Sequence, residues 1–187
     1  LGSFETPRST DGWMPDGGIG DGTTITSMER SDAWSENGSG SLKIGFEGLS
    51  SRRVDGAWPH VAGIQAGGLP PAAKDLSGFR YLSFSLYLPE PAPGSIVQVR
   101  PFVKTGEKWE WCAPEKFVDI KKGPNTIVLD LWDLETDLSE IKTVGLQFQA
   151  YGGDFDGEMW VDAITAERAD AADAQATPPW LGYGSGN

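Results

Sequence analysis

The residues in this sequence whose types and spacing suggest chemistry are a tryptophan pair and a set of amides with one arginine. The segment KTGEKWEWCAPEK, residues 104–116, sets Trp109 and Trp111 one residue apart among Lys104, Glu107, Lys108, Glu115 and Lys116. On a strand, residues i and i+2 share a face, so both indoles are expected on one side and Glu110 on the other. In SIVQVRPFVK, Val97, Val99 and Val103 form an apolar row, leaving Gln98, Arg100 and Phe102 on the opposite one. IKTVGLQFQAY repeats the pattern, with Val144, Leu146 and Phe148 inward and Gly145, Gln147 and Gln149 outward. An indole covers the C–H face of a pyranose ring by dispersion contact. Amides and a guanidinium answer its hydroxyl rim with directional hydrogen bonds.

Catalytic groups are harder to find. His60 is the sole histidine, in AWPHVAGI, with no serine or cysteine motif beside it; GxSxG, HExxH and CxxC are all absent. His60 is read as structural, and Cys112 as a buried small hydrophobe rather than a nucleophile. Glycoside hydrolysis needs two carboxylates about 5 to 9.5 Å apart. With 27 Asp and Glu residues available, a pair such as Glu110 and Glu115 does not stand out from a solvated surface. The sequence is therefore read as noncatalytic.

The elements that must position these residues are short strands. Glycine (25) and proline (13) punctuate the chain, and no window carries a helical apolar period. Strands are expected near residues 3–5 and 23–29, in NGSGSLKIGFE, in FRYLSFSLYLP, in the two segments above, in NTIVLDLWDL and over 158–167, with DGWMPDGGIGDG as loop. Pro101 on an inward row implies an edge or a bulge. The whole reads as all-β: a β-sandwich jelly roll of two antiparallel sheets over residues 1–167, followed by a linker or tail over 168–187 that carries Trp180 and Tyr183. A net charge of −12 argues against nucleic acid or an anionic membrane as partner, and a single cysteine allows no internal disulfide. Of the eight tryptophans, Trp132 and Trp160 are assigned to the core. Trp13, Trp58, Trp109 and Trp111 are assigned to exposed aromatic surface, with Trp111 preferred over Trp109 as a sugar platform.

Taken in order, FET…DGW, NGSGSLKI, DLSGFRYLSFSLYLP, NTIVLDL…DLSEIKTVGLQF and GEMWVDAI resemble bacterial carbohydrate-binding modules of the galactose-binding-like jelly-roll type. The mannan- and glucomannan-binding families 27 and 16 are nearest in pattern, with the β-glucan-binding family 11 behind them. The resemblance covers residues 3–167. It implies a noncatalytic, monomeric, extracellular module covalently linked to a secreted glycoside hydrolase and binding β-1,4-linked polysaccharide, with β-mannan or glucomannan favoured. Trp13, Trp58 and one of Trp109 or Trp111 would line its cleft, and Gln98, Arg100, Gln147 and Gln149 would supply polar contacts. The resemblance also implies a structural calcium held by Glu5 and Asp162, with carbonyls near Ser39 or Ser41 completing an oxygen shell. A jelly-roll lyase or glycanase, and a domain packing against a catalytic neighbour, remain as alternatives.

Overall fold

The computed structural model describes residues 4–5, 10–20, 23–52, 60–91 and 93–168. Among these residues eleven strands follow one another: β1 Trp13–Pro15, β2 Ile25–Ser31, β3 Ser41–Leu49, β4 Ala62–Ala66, β5 Tyr81–Leu88, β6 Ile96–Thr105, β7 Glu110–Cys112, β8 Val118–Asp119, β9 Gly123–Asp130, β10 Ile141–Tyr151 and β11 Phe155–Glu167. They form two antiparallel sheets, one ordered β1-β4-β10-β6-β7 with β8 also on β6, the other ordered β2-β3-β11-β5-β9. The expected two-sheet sandwich is the fold observed.

Period-two patterning explains the core. Leu82, Phe84, Leu86 and Leu88 on β5 are fully buried, facing Val97, Val99 and Val103 of β6 and Val144, Leu146 and Phe148 of β10 across the sandwich. Pro101 is accommodated without a bulge on β6. Opposite β10 it pairs with Leu146, while on the other side β8 meets only Gln98 and Val99 and β7 begins at Val103. The residue that cannot donate to a ladder thus falls in the gap between two short strands.

Several expectations are corrected. The glycine-rich segment after Asp11 is not all loop: β1 pairs with β4, Trp13 opposite Ala66. Residues 4 and 5 are not part of a strand. In β11 the register shifts between Asp162 and Thr165, with Ala163 at a left-handed φ of 47°. This bulge moves Ile164 onto the inward side, where it joins the core at 2% exposure. Of the expected tail, residues 168–187, all but Arg168 lie outside the described residues, Trp180 and Tyr183 among them.

Surface turns are tied by carboxylates. Glu5 accepts from the backbone N–H groups of Ser39 and Gly40 and from the Ser39 hydroxyl. Its pKa is lowered chiefly by the Ser39 N–H; those of Asp75 and Asp137 are lowered by the hydroxyls of Ser77 and Ser139. A carboxylate with a depressed native pKa contributes stability that is fully present above its unfolded value and is lost as pH falls through the native one. The melting temperature should therefore fall as pH drops below about 4, and a flat acid limb in a thermal-shift series would contradict this assignment.

Candidate functional site

The outward face of the six-stranded sheet carries a groove of about 640 Å³. Its floor is made of rows of opposed residues. Arg100 on β6 stands opposite Gln147 on β10, and Gln98 opposite Gln149. Side-chain hydrogen bonds lock them. Arg100 Nε and Nη2 both donate to Gln147 Oε1, at 3.1 and 2.6 Å. Gln149 Nε2 donates to Gln98 Oε1 at 2.7 Å, and Gln98 Nε2 donates in turn to Asp119 Oδ1 at 2.7 Å. Gln147 thereby keeps its NH₂ group for donation, and Gln149 keeps a carbonyl oxygen for acceptance.

One wall is aromatic. Phe102, on the same outward row as Arg100, faces Gly145 of β10, and a Cβ there would lie 2.2 Å from its Cζ. The missing side chain lets the Phe102 ring lie against the sheet. Trp111, opposite Lys104 on the β6–β7 hairpin, covers that ring with centroids 3.9 Å apart and planes 25° from parallel. Phe102 is consequently fully buried although it points outward, while Trp111 retains 38% exposure and lines the groove. Phe117 adds a second ring, held 4.5 Å from the Arg100 guanidinium carbon.

The opposite wall is the loop Asp16–Gly20. Lys104 Nζ meets Asp16 Oδ2 at 2.6 Å and also donates to Gln65, while Asp16 Oδ1 accepts from Gly18 N–H. Asp16 N–H donates to the Gly63 carbonyl. Ile19 then lies over Gly63, where a Cβ would come within 2.4 Å of its Cδ1. Gly18, Ile19, Gly20 and Val61 complete the lining. Replacing Gly145 by Ala would press a methyl group against both Phe102 and the Ile64 carbonyl, 2.4 Å away. We expect Gly145→Ala to cost about 1–3 kcal/mol and to alter the Trp111 fluorescence; an unchanged melting temperature and spectrum would contradict the stacked wall.

Of the expected binding residues, the structure brings Trp111, Arg100, Gln147 and Gln149 into one groove, with Gln98 behind Gln149. Trp109 is not beside Trp111 on a strand. It closes the Gly106–Trp109 turn with φ 57°, is 55% exposed and does not line the groove. Trp13 is not an exposed platform: β1 directs it inward, to 3% exposure within the core cluster. Trp58 lies outside the described residues. Trp160 is buried as expected, but Trp132 is 55% exposed because Asp130 caps a short 3-10 turn at Leu131–Leu134 that carries it out of the strand. Cys112 is partly buried against the core, and His60 is exposed. Phe117 and the Asp16–Gly20 loop line the groove without a local sequence signal that places them there. Phe102 and Gly145 had been placed on the outer rows, but their packing had not.

Of the expected metal ligands, Asp162 is on β11, the central strand of the other sheet, Ser41 begins β3, and Glu5 and Ser39 lie in no strand. Asp162 is fully buried; its Oδ2 accepts from Glu36 and Asn37 N–H at 2.9 and 3.0 Å, while Oδ1 has no partner among the described residues. An unanswered buried carboxylate oxygen fits a hard cation. Glu5 is occupied by Ser39 and Gly40, the Ser39 carbonyl accepts from Arg30, and the Ser41 hydroxyl donates to the Trp34 carbonyl. Among the described residues no three His, Cys, Asp or Glu side chains cluster as a metal site, so any cation here would lean on carbonyl oxygens.

With this geometry in place, comparison with known proteins decides the family. Residues 3–163 match the family described as mannanase, galactose-binding domain-like. The chain belongs to this family. Its two-sheet β-sandwich is the fold of the solved carbohydrate-binding modules that it resembles. No curated protein matches the module's sequence. Among solved structures it is similar to a non-crystalline cellulose specific carbohydrate-binding module, CBM28, at 18% identity and TM-score 0.69, over 90% of this chain and 94% of that one. It is also similar to the family 11 module of the cellulosomal cellulase Lic26A-Cel5E of Clostridium thermocellum, at 14% identity and TM-score 0.60 over 90% and 93% of the chains. The Caldicellulosiruptor saccharolyticus CBM27-1 in complex with mannohexaose matches at 14% identity and TM-score 0.57, over 87% and 93%. At these identities the neighbours speak to the fold, and the module's ligand must be argued from its own groove.

Proposed function

We propose that the module binds a β-1,4-linked polysaccharide, β-mannan or glucomannan in preference to other glycans, in the groove between Trp111 and the Asp16–Gly20 loop. The observation that carries this reading is the Trp111 ring, backed by Phe102 and partly exposed at the edge of a floor of hydrogen-bonded Arg100 and glutamine side chains. A ring fixed in advance stacks on a sugar with little loss of rotamer entropy. Gln147 and Gln149, oriented by Arg100 and Gln98, offer a donor and an acceptor to hydroxyls. The preference for mannan rests on the family's description and on the mannohexaose-bound fold neighbour.

In this reading the module is a monomer outside the cell, joined to a catalytic domain that it holds on its substrate. Asp162, through Oδ1, would hold a structural calcium, with Glu5 and carbonyls near Ser39 or Ser41 as the companions named by resemblance; the ion would supply charge neutralisation at a buried carboxylate.

Affinity electrophoresis in native gels cast with galactomannan, glucomannan, hydroxyethylcellulose, barley β-glucan, xylan or no polysaccharide tests the ligand class. Retardation by the mannans beyond the other gels supports the reading. No retardation in any gel would overturn it and favour a domain that packs against a neighbour.

A further inference from the structure

The groove contains a positive charge that no carboxylate among the described residues answers. Lys104 is paired with Asp16 at 2.6 Å, Arg80 with Asp130 at 3.1 Å, and Lys43 with Glu29 and Glu158 at 2.8 and 3.1 Å. Arg100 differs. It is half-buried, and its contacts are the neutral Gln147 Oε1 and the Phe117 ring. The carboxylate on the neighbouring strand, Asp119, accepts instead from Gln98 and from the Tyr151 hydroxyl. Burial lowers the Arg100 pKa, and no anion among the described residues is paired with the guanidinium. A guanidinium taken partly out of water without a counter-ion is an unfavourable arrangement that an incoming anion relieves.

The contacts Arg100 already makes limit which part of it an anion could reach. The Nε/Nη2 edge is held by Gln147, and the phenyl ring of Phe117 covers a face. The end carrying Nη1 makes no hydrogen bond among the described residues, and Arg100 lines the groove. There one N–H of Nη1 stands beside the second N–H of Nη2, the end-on fork whose spacing two oxygens of one anionic group accept.

We propose that Arg100 makes the groove selective for glycans carrying an anionic substituent, a uronic carboxylate or a sulfate ester, received at the free end of its guanidinium. This rests on the groove being the glycan site. The chain's net charge of −12 sets a limit on the ligand, because a densely charged polyanion would be repelled. The fitting ligand is a largely neutral chain with sparse acidic groups. Arg100 is then the residue that discriminates, and Gln147 the one that positions it.

The test uses the whole chain and one galactomannan in three forms: untreated, lightly oxidised at C6 to carboxylate, and lightly sulfated. Binding is measured at about 0.15 M salt, where the Debye length of about 8 Å screens the overall charge. We expect at least one modified form to bind about tenfold more tightly than the neutral one, as charge-assisted hydrogen bonds exceed neutral ones. Whichever modification gains more identifies the anion. In Arg100→Gln the ratio of modified to neutral affinity should fall to about one, whatever the absolute loss, and Arg100→Lys should keep part of it. If neutral polymer binds and neither modified form binds better, this inference is overturned and the glycan site stands. If no form binds, both fall.

Discussion

Replacing Trp111 by Ala should weaken polysaccharide binding by about 5- to 150-fold, the range expected when an aromatic anchor worth about 1–3 kcal/mol is removed. Two losses combine. The exposed face that would meet a sugar disappears, and the face that covers Phe102 goes with it, uncovering a buried ring and loosening the groove wall. Trp111→Phe should recover part of the affinity, since a smaller ring can still stack on Phe102. Trp109→Ala is the matched control: the side chain is more exposed than Trp111 yet sits in a turn outside the groove, so its loss should change affinity by less than about twofold. Calorimetry with a mannan oligosaccharide checks all three. A greater loss from Trp109→Ala than from Trp111→Ala would place the site at the hairpin tip instead.

The second large effect concerns Asp162. Its carboxylate joins β11 to the loop through the Glu36 and Asn37 N–H groups, and its other oxygen is buried without a partner among the described residues. Asp162→Ala removes both roles and should cost about 3–5 kcal/mol, or on the order of 10 °C in melting temperature. Asp162→Asn separates them. The amide oxygen can still accept from the two backbone N–H groups, but a neutral side chain holds calcium poorly. If calcium sits at Oδ1, a chelator should lower the melting temperature of the wild type, and Asp162→Asn should be insensitive to it, with glycan affinity nearly unchanged in the cold. Equal melting temperatures with and without chelator would remove the calcium and leave Asp162 as a cap of the loop.

How much of this was legible in the sequence depended on how far each signal reached along the chain. The outward set Gln98, Arg100, Gln147 and Gln149 follows from alternation within single strands, as does the strand at FRYLSFSLYLP whose Leu82–Leu88 row is buried. Trp13 was misplaced because three paired residues inside a run of glycines leave no period to detect; only pairing with Ala66 reveals that the indole turns inward. Trp132 misled in the opposite sense. Its apolar neighbours look like strand, but Asp130 ends the strand and caps the turn that exposes it. At Ala163 a one-residue bulge reverses the alternation, which no local preference announces. The groove walls were hidden for the same reason. Lys104 and Asp16 are 88 residues apart, and neither carries a mark of the other. The cavity left by Gly145 for Phe102 was present in the outer rows as a small residue opposite a large one, a pairing visible once strand register is known.

The most direct test of the central claim is the proton–nitrogen correlation spectrum of the module titrated with mannohexaose, followed at the tryptophan indole and glutamine side-chain N–H signals. Saturable shifts of Trp111, Gln147 and Gln149, with Trp132 and Trp160 unmoved, are the predicted result. Shifts confined to Trp132 or Trp109, with the Trp111 and Gln147 signals unchanged throughout the titration, would contradict the groove as the binding site.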